Sequence, residues 1–188
     1  MEREFRNLEK EVTAFQQVTG LSCLARCGKC CHRPDISATP LEFLPLAYHM
    51  YKKGVAEVWY QKLTDESGNL CPVFLPLLKE EDKGFCSAYA YRGLICRLFG
   101  YSANTDKWGN AHLVACRPLK VEKPEDLQKA QDHIQKGGIV PLMRNYQLRL
   151  MGIDPELSRQ QLPIRQAIRQ ALIVVLSYYA FRRPRKSG

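Results

Sequence analysis

No stretch of this 188-residue chain reaches the ~18 consecutive apolar residues a membrane-spanning helix needs. The nearest, Ala171 to Phe181, is too short. It reads as a core helix with a solvated basic end, Arg182-Arg183-Pro184-Arg185-Lys186. The opening residues, Met1-Glu2-Arg3-Glu4-Phe5-Arg6, lack the apolar segment of a secretion signal, which points to the cytoplasm. There is no internal repeat, low-complexity tract or linker-like stretch, so a single domain over 1–188 is expected. A glycine-rich dinucleotide-type loop is missing. So is any local Ser-His-Asp or Cys-His-Asp arrangement. Histidine is scarce, and of the four only His32, next to Cys31, stands where it could ligate a metal. His49, His112 and His133 have no metal spacing. After Cys116 there is no cysteine at all.

Before that point cysteine is abundant. Four fall in Cys23-Leu24-Ala25-Arg26-Cys27-Gly28-Lys29-Cys30-Cys31, and Cys71, Cys86, Cys96 and Cys116 follow singly. A chain of this length buries a core without staples. In a reducing compartment eight cysteines read as metal ligands rather than disulfides. The formal charge of +9 counts neutral cysteines. Eight thiolates around two divalent ions would leave about +5. The basic balance is thus weak evidence for nucleic acid. Aromatics are also not interleaved with basic runs as in single-strand binders, so nucleic acid is weighed against.

The flanks read as helices. Phe5, Leu8, Val12, Phe15 and Val18 mark one apolar face, closed near Gly20. Thr39-Pro40-Leu41-Glu42 predicts a capped helix start, with Leu41, Leu44, Tyr48 and Tyr51 on one side and Pro45 inside to kink or shorten it. Gly54 ends that helix, and Val55 to Leu63 predicts the next. Asp65-Glu66-Ser67-Gly68-Asn69 reads as a turn, and Asp106 to Asn110 as a loop or hairpin tip. Between Leu70 and Pro118 the helical signal fades. It returns in segments opening at Pro124, Pro141 and Asp154, and ends in the stripe Ile164, Ile168, Leu172, Val175 and Tyr179. The expected fold is mainly α, with an irregular, metal-stapled cysteine-rich core over 20–120. Helices flank it at the N-terminus and over 121–182.

Adjacent side chains diverge in most backbone conformations. Cys30 and Cys31 therefore suit two centres, or two irons of one cluster. Eight thiols at four per site also give two sites. Gly28 is expected to wrap the loop through a positive φ. Only Cys27-Gly28-Lys29-Cys30 is a zinc-type knuckle, and the other ligands come singly. This favours an iron–sulfur cluster of the 4Fe-4S kind, one or two per chain, with zinc as the alternative. Arg97, beside Cys96, is the candidate to hydrogen-bond cluster sulfurs. Cys23-Leu24-Ala25-Arg26-Cys27-Gly28-Lys29-Cys30 also resembles the CxxxCxxC motif of radical S-adenosylmethionine enzymes. The chain is short for their barrel, lacks alternating strands and helices, and has Lys29 where they carry an aromatic residue.

The whole set is more similar to the YkgJ-type cysteine-cluster family, a zinc- or iron-chelating domain with a CxxCxxCC motif. The carrying residues are Cys27-Gly28-Lys29-Cys30-Cys31, Cys71-Pro72-Val73-Phe74-Leu75, and the run from Cys86 through Tyr89 and Arg92 to Cys96-Arg97. Cys23 stands four residues before Cys27 where the family has three, Ala88 replaces Ile, and Gly93 replaces Pro. The resemblance implies metal binding and supplies no reaction. Electron transfer, metal handling or an accessory role follows most directly. The related flagellin lysine N-methylase implies, as an alternative, a cluster-dependent enzyme modifying another protein. A zinc-stabilised nucleic-acid module is the third class. A protein partner or substrate is expected, of a kind the sequence does not name.

Overall fold

The computed structural model describes residues 1–65, 68, 70–78 and 80–182; the side chains of 80–82 are left aside. Among the described residues nine α-helices dominate and the strands are short, so the fold is mainly α as expected. The chain divides into two compact units, each discontinuous in sequence. One takes Met1–Cys27 and Leu94–Ile153, the other Gly28–Gly93 and the residues from Asp154 onward. The boundary falls between Cys27 and Gly28, inside the cysteine loop.

In the first unit, α1 (Glu2–Thr19) buries Phe5, Leu8, Val12 and Phe15, and Gly20 closes it at φ 73°. That left-handed conformation suits glycine. Val18, expected on the apolar face, is exposed, and Thr19 is buried in its place. The Thr19 hydroxyl donates to the Phe15 carbonyl at 2.7 Å, which makes burial of a polar residue tolerable. Short α4 (Leu94–Leu98) leads to a hairpin of β4 (Ala103–Thr105) and β5 (Ala111–Leu113). Asp106–Asn110 is its tip, as expected. Then come α5 (Arg117–Glu122), α6 (Pro124–Gln135) and α7 (Met143–Met151). Phe15, Leu21, Ala103, Leu119, Ala130 and Ile134 share one core, on which Cys116 also packs.

In the second unit, a short strand β1 (Ser37–Ala38) pairs antiparallel with β6 (Leu162–Pro163). Next comes α2 (Pro40–Lys52), whose capping box is present. The Thr39 backbone N–H donates to Glu42 Oε1 at 2.9 Å. The helix runs through Pro45, so that proline does not shorten it. Its buried apolar residues include Leu41, Phe43, Leu46, Ala47 and Met50, so of the expected Leu41, Leu44, Tyr48 and Tyr51 face only Leu41 is fully buried. Apolar residues nearly surround this helix, so periodicity alone offered two stripes. The tyrosine stripe stacks instead: Tyr179 lies 4.4 Å from Tyr51 and 5.9 Å from Tyr48, centroid to centroid. α3 (Ala56–Asp65) follows the Gly54 turn. The expected turn at Asp65–Asn69 lies mostly outside the described residues. β2 (Phe74–Leu77) and β3 (Glu80–Cys86) form a hairpin with Phe74 opposite Cys86. After α8 (Pro155–Arg159), α9 (Ile164–Ala180) buries Ile164, Ala167, Ile168, Ala171, Leu172 and Val175. It packs on α2 and α3.

Candidate metal centre

Four of the eight cysteines belong to the second unit: Cys30, Cys31, Cys71 and Cys86. Cys30 and Cys31 stand in a 3₁₀ turn, Lys29–His32. The turn starts at Gly28, whose carbonyl accepts from Cys31 N–H at 2.8 Å and His32 N–H at 3.2 Å. Gly28 has φ −99°, not the positive value expected of it. The left-handed residue of the loop is Arg26, at φ 57° in the turn where Cys27 N–H donates to the Leu24 carbonyl. Cys71 is brought to the turn by its own N–H, which donates to the Cys31 carbonyl at 2.8 Å. Cys86 ends β3, and the Ser87 N–H fixes that end through the Val73 carbonyl at 2.9 Å.

The tight turn brings the two adjacent thiols together instead of letting them diverge. Cys31 is hydrogen-bonded through its side chain to Cys30 and to Cys71. That central position raises the Cys31 pKa, first because the hydrogen bonds to Cys30 and then Cys71 hold its proton, next because it is buried, and last through the charges of those two sulfurs. Cys30 moves the other way, down to about 7, chiefly through the Cys31 hydrogen bond and against the effect of burial. Backbone hydrogen bonds and the Arg92 charge add to the lowering. Cys71 is lowered by the Cys31 hydrogen bond first, then by the Val73 backbone and the Arg165 charge, again against burial. Cys86 is raised by burial, with the charges of Cys71 and Cys30 adding to it. The four sulfurs therefore sense one another, and Arg92 and Arg165 supply the balancing charge. They stand as a chain, not a closed cage. Among the described residues no group of three or more His, Cys, Asp or Glu side chains is arranged to hold a metal ion as it stands. Ligation would have to draw the sulfurs inward and release the Cys31 proton.

Arg92 is anchored for this role. Its Nε donates to the Tyr89 carbonyl at 3.1 Å and its guanidinium lies 3.5 Å above the Tyr89 ring. Arg165 had no signal in the sequence, being one of two arginines near the start of a mostly apolar last helix. His32 presents its ring edge to Phe74, 5.1 Å between centroids, and its Nε2 is buried without a hydrogen-bond partner.

The other four cysteines, Cys23, Cys27, Cys96 and Cys116, belong to the first unit. Cys23 is exposed, and its N–H donates to the Tyr101 hydroxyl at 2.7 Å. Cys96 lies on α4 and Cys116 precedes α5. Arg97 is buried, paired with Glu9 at 2.6 Å and lying 4.7 Å from the Phe5 ring centroid. All eight cysteines are thiols in the structure. No described helix is long and apolar enough to cross a membrane.

A family model described as "CxxCxxCC: Putative zinc- or iron-chelating domain" matches residues 22–130, which takes in every cysteine. No curated protein and no solved structure gives a match.

Proposed function

The chain belongs to the CxxCxxCC family of zinc- or iron-chelating domains, and from that premise we propose that it is an iron–sulfur protein with an electron-transfer or metal-handling role. Cys30, Cys31, Cys71 and Cys86 hold one cluster in this reading, and Cys23, Cys27, Cys96 and Cys116 hold a second. The observation that carries it is the Cys30–Cys31–Cys71 thiol chain. Two adjacent cysteines turned to the same place fit a polynuclear centre, in which each takes a different iron, better than one small ion. The donor set is also all sulfur, which suits iron–sulfur clusters and structural zinc. When bound, such a cluster supplies one-electron chemistry. Around it Arg92 and Arg165 offset thiolate charge. Arg97, next to Cys96, is assigned the same duty in the first unit, where its pairing with Glu9 fixes its position.

Anaerobic purification tests this. The protein should be brown, with iron and acid-labile sulfide in equal amounts, about eight of each per chain for two 4Fe-4S clusters. Half that content, lost on replacing Cys31 but kept on replacing Cys116, would reduce the proposal to the second unit alone. Colourless protein with about two zinc ions per chain would overturn the iron–sulfur assignment and leave the ligand sets standing.

A further inference from the structure

In the second unit the C-terminal ends of α2 and α9 meet in a tyrosine ladder. Tyr179 stacks on Tyr51 at 4.4 Å and on Tyr48 at 5.9 Å, and Tyr178 meets Tyr179 edge-on at 4.9 Å. Apolar side chains at this end are turned to solvent. Phe181 is 92 % exposed, Tyr178 50 % and Tyr48 42 %, and Val55, just past the end of α2, is exposed as well. Large apolar side chains gathered at one place on a surface mark a contact site. Each of the two exposed tyrosines also carries a cation four residues further on. The Lys52 ammonium lies 5.8 Å from the Tyr48 ring centroid. The Arg182 guanidinium lies 4.2 Å from the Tyr178 ring centroid, and its Nη1 donates to the Tyr178 hydroxyl. A ring is no counter-ion, so both cations keep their charge. The sequence adds Arg183, Arg185 and Lys186 directly after Arg182. Lys186, five residues past Phe181, stays within about 18 Å of it whatever path the chain takes. No aspartate or glutamate follows Glu156 in the sequence, and between Phe43 and Thr64 there is only Glu57.

We propose that this end of the second unit docks on the surface of an anionic lipid bilayer. Phe181 and Tyr178 enter the headgroup boundary, and Lys52, Arg182 and the basic run meet the lipid phosphates and carboxylates. Rings with an apolar body and a polar tip suit that boundary, and basic side chains beside them add electrostatic attraction. The contact is peripheral, since no described helix is long and apolar enough to cross a membrane. A single-stranded nucleic acid would need open ring faces on which to stack its bases. The rings of Tyr48, Tyr178 and Tyr179 are already engaged with one another or with Lys52 and Arg182. No cysteine takes part, so the docking goes beyond the function proposed above and does not rest on it.

Co-sedimentation of the full chain with lipid vesicles tests this. Vesicles of phosphatidylcholine mixed with phosphatidylserine should bind it about tenfold or more tighter than pure phosphatidylcholine, because each basic residue near an anionic surface contributes about fivefold. Salt at about 0.5 M should remove most of that difference. Phe181→Ser should weaken binding to the mixed vesicles about tenfold, the loss expected for one buried aromatic side chain. Arg182→Gln/Arg183→Gln/Arg185→Gln should remove most of the preference for phosphatidylserine. Phe181 and Arg182 are exposed, so both variants should keep the wild-type melting midpoint. Equal binding to the two kinds of vesicle, or binding to mixed vesicles indifferent to Phe181→Ser, would overturn the proposal. Tighter binding to a polyuridylate strand than to mixed vesicles would overturn it too, and would assign the surface to nucleic acid. The comparison of vesicles uses the wild-type chain and decides alone if a variant does not fold.

Discussion

The Cys31 sulfur is the hinge of the second unit's thiol set, because it alone is hydrogen-bonded to two others. Cys31→Ser should therefore remove the metal of that unit, while Cys23→Ser, at the exposed end of the loop, should spare it. Metal analysis of the two variants checks this, and equal loss in both would tie the sets together. A second residue explains a departure from the family pattern. At Gly93, where the family has proline, an added Cβ would stand 2.8 Å from Phe43 Cζ. Phe43 is only 2 % exposed and cannot swing away. Glycine here is thus the counterpart of a large buried ring on α2, which no single-position reading could reveal. Gly93→Ala should cost about 1–3 kcal/mol by overpacking, read as a lower denaturation midpoint. The double variant Gly93→Ala/Phe43→Leu should recover part of that loss.

Single helices and hairpins were the most legible part of the chain. The Gly20 stop, the Thr39–Glu42 box and the Asp154 cap are local signals, and each operates in the structure as read. Asp154 Oδ1 accepts from Glu156 N–H at 3.0 Å and Leu157 N–H at 2.9 Å. Thr39→Ala should weaken α2 by about 1 kcal/mol, measurable by chemical denaturation. The β4–β5 tip carries a pH dependence of its own. Burial opposes ionisation of Asp106, but hydrogen bonds from the Asn110 side chain and backbone, His112 and the Trp108 N–H outweigh it and hold the carboxyl at about 2. A lowered pKa stabilises the folded tip above the ordinary carboxylate value near 4, and that stabilisation disappears as pH falls toward 2. In a Trp59→Phe background, the fluorescence of exposed Trp108 should stay constant down to about pH 4 and change between 4 and 2. Asp106→Asn should remove this transition.

For the whole molecule, the sequence made the candidate cysteines legible but not their grouping. Spacing within Cys23–Cys31 suggested a shared loop, and the division of the chain after Cys27 sends two of its cysteines to each unit. What decides that grouping is where the chain returns tens of residues later, at Cys71 and Cys86 or at Cys96 and Cys116. Local periodicity holds no record of such returns. Arg165 was hidden for the same reason, because its meaning depends on Cys71, far away in sequence, on which its charge acts. The same division predicts an uneven response to metal removal. The α2–α9 packing of the second unit is built from Phe43, Leu46, Ala47, Ile168, Leu172 and their neighbours, with no cysteine among them. The 3₁₀ turn and the β2–β3 hairpin have much less buried apolar surface and are joined by one backbone hydrogen bond, the His32–Phe74 contact and the thiol set. Metal should therefore protect the amides of residues 28–33 and 71–77 against hydrogen exchange, and stripping should release them while α2 and α9 keep their protection. Because protons compete for the thiolates, the protected state should require more metal as pH falls, with the dependence steepest where Cys31 must give up its proton. Uniform loss of protection across α2, α9 and the turn would mean that metal holds the entire unit, and would contradict a core that stands on apolar packing.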